Sequence, residues 1–122
     1  MLLGYYAFPL IGKVVTLKVK LGCFTRPYGE HTLDRALKGI SSAGFGYVGL
    51  MHPGMLTPNM ARAEIEQLRK TLRLGNLIPL ATWGGLKADE SGIFEFKSVI
   101  DTAQEVGVKT ILTAGPWPYL EG

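Results

Sequence analysis

The sequence predicts an α/β fold of parallel strand-helix repeats, and three observations predict it. Gly44, Gly75 and Gly107 each close a helical pattern and precede a short apolar run, at spacings of 31 and 32 residues. A period in the low thirties holds one strand, one helix and two short connections. The apolar runs lack polar alternation at their centres, as strands covered on both faces do. Between them, apolar residues recur on one helical face. The order is therefore β-α-β-α-β-α-β, and right-handed crossovers make the sheet parallel.

The chain opens on "MLLGYYAFPLIGKVVT", residues 1–16, which reads as an N-terminal extension. A secretory signal would carry positive charge ahead of its apolar run and a small-residue cleavage site behind it. Here the first charge is Lys13, after the run. Residues 17–122 hold the repeats, about four strands and three helices. The first strand is "KVKLGCF". In "TLDRALKGISSAG", Thr32 is placed as N-cap, with Leu33, Ala36, Leu37, Ile40 and Ala43 on one face. "FGYVGLM" is the second strand. In "TPNMARAEIEQLRKTLRLG", Thr57 is the expected cap, Pro58 suits the first turn, and Ala61, Ile65, Leu68 and Leu72 form the face. "NLIPLAT" follows as a strand. Phe96, Val99, Ile100, Ala103 and Val106 make the face of "FEFKSVIDTAQEVG", and "VKTILTA" is the last strand. All three period glycines are expected to be left-handed C-caps, where a side chain costs energy.

Two architectures fit this order. One is a small open doubly wound sheet, complete at 122 residues. The other is the leading half of a (β/α)8 barrel, which usually takes about 250 residues. No helix follows the last strand, which would leave an exposed apolar edge in an isolated domain. The favoured expectation is an incomplete barrel over residues 17–122, a fragment or truncated reading frame. A half-barrel pairing with a copy of itself is the lesser alternative.

Composition excludes several classes. With 47% hydrophobic and 19% charged residues, the chain is globular rather than disordered. The net charge of +3 is dispersed. Arg62, Arg69, Lys70 and Arg73 share a segment with Glu64 and Glu66, which reads as a solvated helix face rather than a phosphate-binding stripe. Cys23 is alone, so there is no intrachain disulfide and no cysteine metal cluster, and a cytoplasmic setting fits. No run of about 18 apolar residues exists, so no membrane span is expected.

In either architecture, ligands gather beyond the C-terminal strand ends. The four loops there are "CFTRPYGEH", "MHPGMLTP", "TWGGLKADESG" and "AGPWPYLEG". They hold both histidines and both tryptophans, with Arg26, Tyr28 and Tyr119. His52 could act as ligand, acid/base or hydrogen-bonding residue, against a purely structural role for a lone strand-end histidine. His31 sits beside a helix cap and reads as surface. Glu30 reads as an exposed loop carboxylate. Trp83 and Trp117 could line a sugar-sized pocket, because aromatic faces pack on C–H-rich sugar faces; lid packing is the competing reading. Arg26 could bind a phosphate or carboxylate, against a plain surface role. There is no G-x-G-x-x-G in strand-then-helix context, no P-loop, no C-x-x-C and no H-E-x-x-H. No acidic residue ends a strand run, so no metal site and no catalytic residue is assigned.

The stretch "KLGCFTRPYGEHTLDRALKGISSAGFGYVGLM", with "EIEQLRKTLRLGNLIPLAT" and "FKSVIDTAQEVGVKTILTAGP", resembles the start of the xylose isomerase-like TIM barrels. That superfamily includes sugar phosphate isomerases/epimerases and type IV apurinic endonucleases. Ala43-Gly44-Phe45 and "IDTAQEVGVKTILTAG" carry the likeness, which covers about residues 18 to 118. The resemblance implies an aldose-ketose isomerase or epimerase acting on a sugar or sugar phosphate. It also implies a divalent metal (Mn, Mg, Co or Zn) held by residues of later strands, none of which carries over. Gly49 stands where the family often has glutamate, and "LATWGG" lacks the histidine of the nuclease branch. What carries over is pocket wall: Phe24, His52, Trp83 and Trp117. The first expectation is thus the N-terminal portion of a sugar isomerase or epimerase, inactive alone. A DNA-repair nuclease comes second, with nucleic acid disfavoured by the mixed charge. A non-enzymatic module that self-associates as a homo-oligomer is third.

Overall fold

The computed structural model of the chain describes residues 4–10 and 13–114, with side chains described from residue 19 onward. The described residues form two sheets. β1 (Gly4–Leu10) and β2 (Lys13–Val19) pair antiparallel, with Gly4 opposite Val19 and Leu10 opposite Lys13. Most of this ribbon lies in residues 1–16, read as an extension without strands, and β2 also takes Lys18 and Val19 from the run expected as the first parallel strand, which is left with Gly22–Phe24. The second sheet is parallel and takes β3 (Gly22–Phe24), β4 (Tyr47–Leu50), β5 (Ile78–Trp83) and β6 (Thr110–Leu112) in sequence order. Three helices, α1 (Leu33–Ser42), α2 (Arg62–Leu74) and α3 (Glu90–Val106), alternate with these strands. The predicted α/β class and strand order hold. Four sequential parallel strands with three helices are consistent with part of a (β/α)8 barrel.

The helices pack where their apolar stripes direct. Leu37 and Ile40 of α1, Ile65, Leu68 and Leu72 of α2, and Val99, Ala103 and Val106 of α3 bury against Val48 and Leu50 of β4. Each fully buried leucine contributes about 1.5–3 kcal/mol by leaving water. Three expected face residues lie elsewhere: Ala43 is exposed past the end of α1, Ala61 is exposed at the cap position before α2, and Ile100 is exposed while Thr102 takes the buried place. Thr102 is tolerated there because its hydroxyl donates to the Ser98 carbonyl one turn back at 3.0 Å.

The caps divide into expected and corrected. Thr32 caps α1, its Oγ1 accepting from the Arg35 N–H. Asp89 caps α3, accepting from the Gly92 N–H at 2.6 Å, so that helix begins earlier than its apolar pattern. Thr57 does not cap α2. The chain turns first at Asn59 (φ 57°), whose N–H donates to Ser98 Oγ at 3.0 Å, and the helix starts after Ala61. Glu64 Oε2 accepts from the Ala61 N–H at 2.9 Å in place of a hydroxyl cap. Gly44 and Gly107 are left-handed as expected (φ 93° and 91°). Gly75 is not: its φ is −84°, and Asn76 (φ 51°) makes the left-handed step instead. Asparagine is among the few side chains that enter that region readily.

Coverage of the strands also differs from expectation. The helices bury one face of the sheet. On the other, Phe24, Ile78, Leu80 and Leu112 remain 44%, 54%, 41% and 38% exposed. In β5 the register slips between the Val48–Pro79 and Gly49–Ala81 pairs, so one residue is extra. Pro79 has no N–H to give the ladder, and a bulge is where a strand proline fits. Gly49 is needed for a different reason: a Cβ there would collide with the Phe24 ring, which lies across it.

Candidate functional site

The C-terminal ends of the strands are locked together by two buried threonines. Thr25 follows β3 and is fully buried. Its Oγ1 donates to the Met51 carbonyl and accepts from the Met51 N–H at 3.0 Å, while its own N–H donates to the Gly49 carbonyl at 3.0 Å. Thr82, also fully buried, does the same for β5: its Oγ1 donates to the Leu50 carbonyl at 2.9 Å and accepts from the Leu56 N–H at 3.3 Å. The loop after β4 is thus pinned on both sides. Its His52–Pro53 peptide is cis, and Gly54 follows in the left-handed region (φ 93°), where a side chain would also strike Leu33.

This scaffold carries Arg26, Met51, His52, Met55 and Trp83 around an open cavity of about 310 Å3. Arg26 starts the short 3-10 turn Arg26–Tyr28 directly after the Thr25 clamp. His52 follows the Met51 clamp point, and Trp83 follows Thr82. A second cavity of about 510 Å3 is also lined by Trp83, together with Leu56, Gly84, Lys87 and Glu95. Trp83 and Met55 line both cavities.

Of the expected pocket-wall residues, His52 and Trp83 come together. Phe24 ends β3 on the bare sheet face and lies outside the lining of either cavity. Trp117 and Tyr119 fall outside the described residues. His31 is exposed, its ring 6.3 Å from that of Tyr28, and takes no part in either cavity. Among the described residues no three His, Cys, Asp or Glu side chains converge as a metal cluster. The described residues do not fit a divalent ion. The two threonines were not anticipated; a threonine at each of two strand ends, inside otherwise apolar runs, is the signal that could have found them.

With the geometry in place, solved structures supply a comparison. No family model matches the chain, and no curated protein matches it. The chain is similar in structure to an uncharacterized protein from Parabacteroides distasonis, with a TM-score of 0.64 and 17% identity over 77% of this chain and 42% of that one. It is also similar to D-psicose 3-epimerase, crystallised in the presence of D-fructose, with a TM-score of 0.61 and 14% identity over 82% of this chain and 39% of that one. That likeness shows the fold. The chain spans about two fifths of the length of these structures, at 42% and 39%.

Proposed function

We propose that this chain is the N-terminal portion of a sugar isomerase or epimerase of the xylose isomerase-like barrel class, contributing pocket wall rather than the reacting groups. The observation that carries the reading is the cavity at the strand ends, where His52 and Trp83 meet on a sheet similar in fold to D-psicose 3-epimerase. The Trp83 face would pack on a sugar's C–H surface, and the His52 ring nitrogens would hydrogen-bond a hydroxyl. The divalent ion that belongs to this reading would take its ligands from outside the described residues. The bare sheet face supports the same reading, because a barrel interior is filled by side chains from all its strands. The substrate class is a small sugar or sugar phosphate. No helix among the described residues is long and apolar enough to cross a membrane.

Saturation-transfer NMR on the full chain with D-fructose should show transfer to the sugar C–H protons, and Trp83→Ala should remove most of it. In D2O those protons should stay unexchanged, since the described residues bring no base-and-metal set. Transfer undiminished in Trp83→Ala, or no transfer to any ketose or aldose, would sink the reading.

A further inference from the structure

We infer that the Arg26–His52–Trp83 cavity binds a polyhydroxy carboxylate, a sugar acid, with Arg26 holding the carboxylate; this deepens the sugar reading above and rests on it. Among the described residues the lining has one charged side chain, Arg26, and no carboxylate. Its other hydrogen-bonding side chains are His52 and the Trp83 indole, a donor only, while Met51 and Met55 are apolar. The cavity therefore presents donors and positive charge. Arg26 makes no ion pair among the described residues, where the pairs are Lys38–Asp34 and Arg69–Glu66. Its backbone is held by the buried Thr25 on one side and Pro27 on the other, so the guanidinium has a defined base from which to reach the ligand.

The count of cations selects the anion. A planar guanidinium fork pairs bidentately with a planar carboxylate and neutralises its single charge. A phosphate dianion at this site would keep a net negative charge, with no second cation among the described residues of the lining. The volume of about 310 Å3 lies at the small end of ligand pockets and has room for a six-carbon acid. Trp83 then offers the platform for the ring or chain carbons while the carboxylate points to Arg26.

Calorimetric titration of the full chain with D-glucuronate, D-glucose and glucose 6-phosphate at fixed ionic strength tests this. D-Glucuronate should bind about tenfold or more tighter than D-glucose, as expected for a charge-assisted bidentate pair. Arg26→Gln should bring the D-glucuronate affinity down to that of D-glucose measured on the same variant, with far-UV circular dichroism confirming the fold. Arg26→Lys, which keeps the charge and loses the fork, should fall between them. Equal affinity for D-glucuronate and D-glucose, or a preference that survives Arg26→Gln, overturns the inference while the sugar reading stands. Tighter binding of glucose 6-phosphate overturns the choice of carboxylate. Acetate binding as tightly as D-glucuronate, with no D-glucose bound, would leave an anion site and remove the sugar.

Discussion

Thr25 shows how one hydroxyl can organise a site it does not line. Fully buried, it satisfies both backbone groups of Met51, and the residues on either side of the clamp, Arg26 and His52, both line the cavity. Thr25→Val keeps the shape and removes the hydroxyl, leaving the Met51 N–H and carbonyl without that partner. The expected cost is about 1–3 kcal/mol, the penalty for unsatisfied buried polar groups. Urea unfolding followed by circular dichroism should show it as a lower midpoint, and Thr25→Ser should recover most of the loss. A midpoint unchanged in Thr25→Val would mean that the clamp is idle. Thr82 does the equivalent for Trp83, so both aromatic and cationic walls of the cavity depend on hydroxyls behind them.

At the level of elements, the three repeats share a period but not a mechanism for ending their helices. Gly44 and Gly107 make the left-handed step themselves, whereas after α2 the step passes to Asn76. Gly75 has an ordinary φ of −84°, and a Cβ on it would approach Leu77 Cδ1 at 3.3 Å, a flexible side-chain tip. A Cβ on Gly107 meets nothing within 4 Å, so the cost there is purely that of the backbone at φ 91°. Gly107→Ala should therefore destabilise by about 1–2 kcal/mol, the cost of a side chain in the left-handed region. Gly75→Ala should cost less than about 0.5 kcal/mol, because alanine is free to adopt its conformation. Thermal melts of the two variants side by side check the order, and equal losses would refute the assignment of the turn to Asn76.

For the whole molecule, the dominant feature is a sheet dressed on one side. Leu37, Leu68 and Val99 seal the helical face, while Phe24, Ile78, Leu80 and Leu112 stand open on the other. Clustered apolar exposure of this kind marks a surface that binds apolar groups. The dye anilinonaphthalene sulfonate should fluoresce strongly with the full chain. Ile78→Lys and Leu80→Lys should each reduce that signal while the far-UV spectrum is unchanged. Undiminished fluorescence in both variants would show that the dye binds elsewhere and that this face is covered in solution.

The strand-helix order, the parallel sheet and the stripes of α1 and α2 were legible in the sequence, because helical periodicity and glycine punctuation are local properties of the chain. So was the placement of His52 and Trp83 at strand ends, since a parallel sheet sends every such loop to one side. The ribbon of β1 and β2 was missed: Ile11 and Gly12 between the two runs are not a strong hairpin-turn pair, and Pro9 argues locally against a strand. Other features required the assembled fold. Whether Gly75 or Asn76 turns the chain, that Thr25 and Thr82 face backbone groups across strands, and that Arg26 joins His52 while Phe24 turns away all depend on residues distant in sequence meeting in space. Periodicity specifies which side of its own element a residue occupies; only packing decides what stands opposite it.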